Sequence, residues 1–293
     1  MYELVQLGPD TYLIDCPSRV GVVRLCSRDV CLIDSGATPE AAKRIDQVLA
    51  QNGWQVSRII NTHTHAGHCG GNAYFYEQYH CQIYAPFPET VFAQRPELSA
   101  ALMYGAAPPA AMRIPRLMAQ PSSPRPLRGS RLAPDFELCP LDGHAPAMVG
   151  VKTRDNVWFI GDALLGEERM RKYQIHHLYH AGEYLRTLRT LERLEGAVFV
   201  PSHAPATDTL LPLIIQNRVR IEALMDFLCR LCEEPLCFDS IVKASFDHYA
   251  LTLTAEQYAV AGSSLRAYLS YLCDEGRMRI EVRENMLYFC TVC

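Results

Sequence analysis

Asn61-Thr62-His63-Thr64-His65-Ala66-Gly67-His68-Cys69-Gly70-Gly71-Asn72 is the stretch on which the reading of this chain turns. Three of its ten histidines fall between positions 63 and 68, directly after the apolar run Ile59-Ile60. Ser57–Thr62 reads as a strand that runs into a loop. An H-x-H pair leaving a strand can turn both rings to one side, and His68 can enter from the following turn. Imidazole is a common transition-metal ligand. A single histidine reads more readily as a structural residue. Three at i, i+2 and i+5, closed by Gly70-Gly71, read as ligands.

Three further residues join this cluster. His144 lies in Leu-Asp-Gly-His-Ala-Pro after a strand, and Asp162 ends the apolar run Val-Trp-Phe-Ile-Gly-Asp. His203 follows another strand in Val-Pro-Ser-His-Ala-Pro. Five histidines and one aspartate, each at or just beyond a strand end, are what a two-metal hydrolytic site requires. The segment 167–180 after Asp162 carries Arg169, Arg171, Lys172, Tyr173, His176, His177 and His180. If it faces a pocket, Tyr173 or His176 can donate to a developing oxyanion, and the cations favour phosphate or carboxylate groups. The competing reading is a solvated basic loop ahead of the next helix.

Taken in chain order, His63-x-His65-x-x-His68, Gly143-His144, Gly161-Asp162 and His203 resemble the ligand set of the metallo-β-lactamase-fold hydrolases. Asp34-Ser35-Gly36 after Val-Cys-Leu-Ile matches a strand-end turn of that family, and the likeness covers about residues 1–212. It implies an α/β (α+β) fold, a four-layer αβ/βα sandwich with the site at one edge of two packed sheets. It further implies that His63, His65 and His144 hold a first metal, His68 and His203 a second, with Asp162 bridging. A metal-bound hydroxide would then attack a carbonyl or phosphoryl centre.

One position departs from the family. The motif is H-x-H-x-D-H, and its Asp is a ligand of the second metal. Here Gly67 stands in that place and offers no side chain. The second site keeps His68, His203 and Asp162, and three protein ligands plus water still suffice for a catalytic zinc. Weaker second-site affinity is the expectation. Cys69 is an alternative thiolate donor, although its position beside Gly70-Gly71 favours the core.

The remaining chain sets the context. Of 293 residues, 49% are hydrophobic and 20% charged, ordinary values that exclude extensive disorder. Two domains are expected, 1–212 and 213–293. The first alternates short strands with helices, notably over 38–53 and 181–196, around a Pro- and Arg-rich irregular insertion at about 96–134. Arg113, Arg116, Arg125, Arg128 and Arg131 lie there without an acidic residue between Glu97 and Asp135. They read as a solvated insertion or as a positive rim over a site for an anionic substrate. The tail reads as helix, helix, helix and a hairpin around Glu284-Asn285, a winged-helix-like order that resembles the C-terminal domain of the β-lactamase-like 2 subgroup. It carries eight Lys/Arg and eleven Asp/Glu. That acidic balance disfavours nucleic acid, which calls for a basic face. Its apolar faces suit a homodimer or a cover over the site.

No apolar run approaches the ~20 residues of a membrane span, and no secretory signal is visible in the first fifteen residues. Twelve cysteines in such a chain read as reduced thiols in a cytoplasmic protein. The pairs Cys229/Cys232 and Cys290/Cys293 are an alternative zinc site. The leading function is a metallo-hydrolase holding one or two zinc ions, with iron or manganese as alternatives. Its substrate would be a small-molecule thioester, lactone, ester or amide. The competing readings are a metal-dependent nuclease or phosphodiesterase, and a non-catalytic metal-binding or regulatory module, to which Gly67 points.

Overall fold

The computed structural model describes residues 2–113, 118–128 and 135–292. β1 (Glu3–Gln6), β2 (Thr11–Asp15), β3 (Val20–Arg24) and β4 (Asp29–Ile33) form an antiparallel meander. β5 (Gln55–Ile60), β6 (Gln82–Ala85) and β7 (Arg125–Pro126) then continue the same sheet in parallel. Parallel neighbours require crossovers, and here they are α1 (Pro39–Gln51) and the pair α2 (Ala66–Cys69) and α3 (Asn72–Tyr79). Thr38 caps α1 by accepting the N–H of Ala41, with Pro39 in the first turn.

The second sheet is built from β8 (Phe136–Pro140), β9 (Val149–Thr153), β10 (Val157–Phe159) and β11 (Val198–Val200), in the order β11-β10-β9-β8. Strand alternation places successive residues on opposite faces, and the sequence uses it. In β4, Cys31 and Ile33 join Val149, Val151, Val157 and Phe159 between the two sheets. Val30 and Leu32 turn the other way, onto Ile45 and Leu49 of α1 and Phe75 of α3. In β10 the same alternation sends Trp158 outward, onto Tyr184 and Leu188 of α7 (Ala181–Leu191). The layers are therefore helix, sheet, sheet, helix, as the family likeness implies. The sheets approach closely where Gly21 faces the ring of Phe159.

The tail contributes α8 (Leu211–Leu231), β12 (Leu236–Cys237), α9 (Phe238–His248), α10 (Ala255–Asp274), β13 (Met278–Arg283) and β14 (Met286–Thr291). Its sheet runs β12-β14-β13, and the hairpin turns at Glu284 and Asn285, both with positive φ. Ile214, Ile221 and Leu224 of α8 and Leu265, Tyr268 and Leu269 of α10 belong to one apolar cluster with Leu141, Trp158 and Tyr184. This core therefore runs across position 212 without a break.

The segment expected to be irregular is partly ordered. Glu97–Tyr104 forms helix α5, which packs on α10, and Arg125-Pro126 pairs with β6. Ala-Ala-Leu-Met are strong helix formers, a local signal outweighed in the sequence reading by the prolines that follow. Arg116 and Arg131 lie outside the described residues. Short β1 and helix α4 (Glu89–Gln94) are further elements beyond the expectation. Among the described residues no helix is long and apolar enough to cross a membrane.

A Cβ on Gly21 would lie 2.7 Å from the Phe159 ring. Gly21→Ala is expected to destabilise the fold by about 1–3 kcal/mol through overpacking, read as a lower urea midpoint with an unchanged slope.

Candidate metal centre

β5 delivers the histidine loop, and two buried carboxylates hold it in shape. The first is Asp34, at the end of β4 in a left-handed conformation (φ 64°) that Asp tolerates better than most residues. Its Oδ1 accepts the Thr62 N–H at 2.8 Å, and its Oδ2 accepts the Thr62 hydroxyl at 2.9 Å and His68 Nδ1 at 2.7 Å. With its proton committed to Asp34, Thr62 Oγ1 can accept from His63 Nδ1 at 3.2 Å. That tautomer leaves the Nε2 lone pair of His63 facing inward. Such carboxylate–imidazole support commonly orients metal ligands. Glu89 is the second. Its Oε2 accepts the Thr64 N–H at 2.8 Å and hydroxyl at 2.6 Å, and its Oε1 accepts the N–H of Ala147 beyond His144. Burial raises the Glu89 carboxyl above its ordinary range.

The loop is further pinned from below. The His68 carbonyl accepts from the Ser35 N–H, the Ser35 hydroxyl and Asn61 Nδ2. Gly70 and Gly71 are required by close approach, since a Cβ would lie 2.1 Å from the Ala37 carbonyl oxygen or 2.2 Å from that of Ser35. Cys69 turns inward and its thiol donates to the Thr64 carbonyl. Burial pushes that thiol up, and Cys69 belongs to neither convergent set of potential ligands.

All six expected ligands converge. His63 Nε2 lies 3.1 Å from His65 Nδ1, which lies 3.1 Å from His144 Nε2. His68 Nε2 is 3.2 Å from Asp162 Oδ1, while His203 and His144 each place Nε2 3.4 Å from Oδ2. Asp162 sits in a 3₁₀ turn (Gly161–Ala163) with His144 and His203 on one carboxylate oxygen and His68 on the other. Among the described residues, only His63/His65/His144 and His63/His68/Asp162 form convergent sets of three potential ligands. Cys293 of the tail cysteine pairs lies outside the described residues.

The electrostatics agree with metal binding. Burial, then the neighbouring His68 and His65, hold His63 well below its usual range. Burial and His177 push His65 down to about 3, and burial lowers His144 despite Asp162. Three neutral imidazoles thus aim lone pairs at one another. Zn–N bonds of about 2.0–2.1 Å in a tetrahedral site separate ligand nitrogens by about 3.3 Å, close to what is seen. His68 behaves oppositely. Burial opposes its charged form, but Asp162 and Asp34 outweigh burial and raise it to about 10. Burial likewise opposes ionised Asp162, yet His203 and His68 hold it well below the carboxylate range. The donor set therefore fits a complete three-imidazole site, while the second convergent set is His63, His68 and Asp162, with His203 reaching Asp162 Oδ2 from beside it. Gly67 borders the second, and a Cβ there would meet only Ser18 Oγ, at 3.5 Å.

The cluster opens into a cavity of about 490 Å³, lined by His65, Gly67, His68, Asp162 and His203. Tyr173 lines it too, with Arg169 and Lys172 over its ring. His176 does not. Its ring packs against Tyr184 in the core, and the cavity wall is formed instead by His177, whose Nδ1 pairs with Ser264 Oγ at 3.0 Å. The two are adjacent in sequence, and only the turn ahead of α7 decides which faces inward. No described arginine of the 96–134 segment lines the cavity. Its cations are Arg169 and Lys172, of the short helix α6 (Glu167–Lys172).

Fold and cluster together define a metal-binding αβ/βα sandwich protein. The family model of the Metallo-beta-lactamase superfamily matches residues 13–203, and the chain belongs to that superfamily. A Beta-lactamase domain protein from Burkholderia ambifaria superposes with a TM-score of 0.75 at 18% identity, over 99% of this chain and 94% of that one. A metallo-beta-lactamase family protein from Thermus thermophilus gives 0.74 at 20% identity, over 98% and 100%. At such identities the likeness concerns the fold, which in both cases extends through the tail. A hydroxyacylglutathione hydrolase from Rhodopseudomonas palustris is 44% identical over 57 residues, 18% of this chain and only 22% of that enzyme.

Two outcomes follow. Asp34→Ala, which releases both Thr62 and His68, is expected to weaken metal binding by about 10- to 100-fold, measured by competition with a chromophoric chelator. Gly67→Asp restores a carboxylate where space exists and is expected to raise metal content from about one to about two per chain, counted by elemental analysis.

Proposed function

We propose that this chain is a metal-dependent hydrolase of a small-molecule thioester, lactone, ester or amide. The observation that carries this reading is the convergence of five histidines on one aspartate beside a cavity sized for a small molecule, which His65, His68, His203 and Asp162 line. The short match to a hydroxyacylglutathione hydrolase supports it and favours a thioester among the four. Zinc is the metal that a three-imidazole site suits, with iron or manganese as alternatives. A divalent ion bound there supplies Lewis acidity and a nucleophile at neutral pH.

The chain's own residues do the rest. His63, His65 and His144 form the neutral set, with the tautomer of His63 held by Thr62, and His68 and Asp162 form a charge-assisted pair beside His203. Tyr173 offers a phenolic donor at the mouth, suited to a developing oxyanion. Arg169 and Lys172 attract a carboxylate or phosphate on the substrate. Hydrolysis breaks the bond between the acyl carbon and the leaving sulfur, oxygen or nitrogen. The hydroxyl of water goes to the acyl carbon and its proton to the leaving atom. His177, with a ring centroid 5.3 Å from that of His144 and 5.5 Å from that of His65, is placed to carry such a proton. The eleven described cysteines are free thiols, which supports a reducing, cytoplasmic setting.

The test is a hydrolysis screen of the zinc-loaded protein against acyl thioesters, lactones, aryl esters and cyclic amides. Turnover of at least one class is expected, falling about 10³-fold or more in His144→Ala. Absence of turnover in every class, with metal demonstrably bound, would point to the binding-module reading.

A further inference from the structure

The cavity above the metal cluster is not built by the sandwich alone. Its far wall is Phe246, Leu251, Gln257, Val260 and Ala261, all from the tail, on α9, α10 and the loop between them. Leu165 and Ile175 of the sandwich extend the same apolar surface. The wall is anchored to the metal side through Ser264 of α10, which pairs with His177, and Tyr268, whose hydroxyl donates to the His176 carbonyl. One polar atom interrupts it. The Oε1 of Gln257 is buried without a hydrogen-bond partner among the described residues. A buried acceptor left unmatched is costly, which makes it a place where a ligand donor belongs.

A second cavity, of about 720 Å³, lies on the other side of His203. It shares Arg169, Lys172 and His203 with the first and is the more polar of the two, adding Arg19, Glu167, Glu168 and Gln216 beside Cys16, Pro17 and Leu213. The cleft therefore has an apolar chamber and a polar chamber that meet beside the metal ligands. A substrate whose scissile carbonyl lies at the cluster has room to extend one end into each.

We propose that the C-terminal helices form the acyl pocket of this enzyme: the hydrocarbon chain of the acyl group lies on Phe246, Leu251, Val260 and Ala261, Gln257 accepts a hydrogen bond from a hydroxyl or amide on that chain, and the polar leaving group occupies the chamber beyond His203. This assignment rests on the hydrolase reading above. It gives the tail a definite role, the selection of chain length. It also accounts for an acidic tail in a protein with cations at its mouth, since the tail reads the uncharged end of the substrate.

The experiment is calorimetric titration of the zinc-loaded full chain with alkyl hydroxamates, which chelate zinc and are not hydrolysed. Each buried methylene contributes about fourfold in affinity. Octanohydroxamate is therefore expected to bind at least tenfold more tightly than acetohydroxamate. Ala261→Trp, which fills the chamber, should erase that gain while leaving acetohydroxamate within about twofold. Val260→Asn, a milder change on the same helix, should reduce it in the same selective way. A 3-hydroxyoctanohydroxamate should bind about 3- to 10-fold more tightly than octanohydroxamate, and Gln257→Leu should abolish the difference. Retained acetohydroxamate binding reports that each variant is folded and metal-loaded. Equal affinity for short and long chains, or equal losses for both in the variants, overturns the acyl pocket but not the hydrolase. No binding of acetohydroxamate to the zinc-loaded chain overturns both.

Discussion

The carboxylate of Asp34 is the contact on which the site depends. It is neither at the mouth of the cavity nor within reach of substrate, yet it fixes the backbone at Thr62 and the ring of His68 together. Through the Thr62 hydroxyl it also sets the tautomer of His63. One buried charge thereby orients a ligand from each of the two metal positions. A buried carboxylate persists only when its lone pairs are satisfied. Here a backbone N–H, a hydroxyl and an imidazole satisfy them, so placing the ligands and stabilising the carboxylate are the same set of hydrogen bonds. Glu89 repeats the device on the other side, joining Thr64 to the segment that follows His144.

The division of charge inside the cluster follows from this scaffolding. On the inward nitrogens of His63, His65 and His144, burial outweighs the nearby Asp162 carboxylate, so all three are held below the usual imidazole range. His68 and Asp162 form a charge-assisted pair in the position that Gly67 leaves short of a carboxylate. The cluster thus combines a three-imidazole set with a second set in which His68 lies between two buried acids. The absence of a side chain at Gly67 also widens the floor of the apolar cavity, which links the unusual motif to the tail that roofs it.

Much of this was legible from residue order. Strand alternation in Val30–Ile33 and Val157–Phe159, the Thr38 cap and the Gly-Gly after His68 are local signals, and each corresponds to the element it predicts. The six candidate ligands that the fold brings together were legible because metal chemistry restricts residue types sharply and because each follows an apolar run. Helix α5 was obscured by its proline-rich surroundings, although its own residues favour helix. Glu89 carried no signal at all, since Pro-Phe-Pro-Glu-Thr resembles any surface turn.

What the sequence determined by itself is therefore the chemistry: which side chains can hold a metal, and which strands deliver them. Only the tertiary structure decided how these are shared and enclosed. His177 faces the cavity and His176 the core because α7 starts at Ala181 and the packing of its Tyr184 and Leu188 on Trp158 fixes the preceding turn. Among the described residues, the cations lining the cavity are Arg169 and Lys172 rather than arginines of the 96–134 segment. The tail becomes a wall of the site because its core is continuous with that of the second sheet. Such facts depend on contacts between residues far apart in the chain, and apolar packing, being non-directional, leaves no local pattern from which the partner can be read.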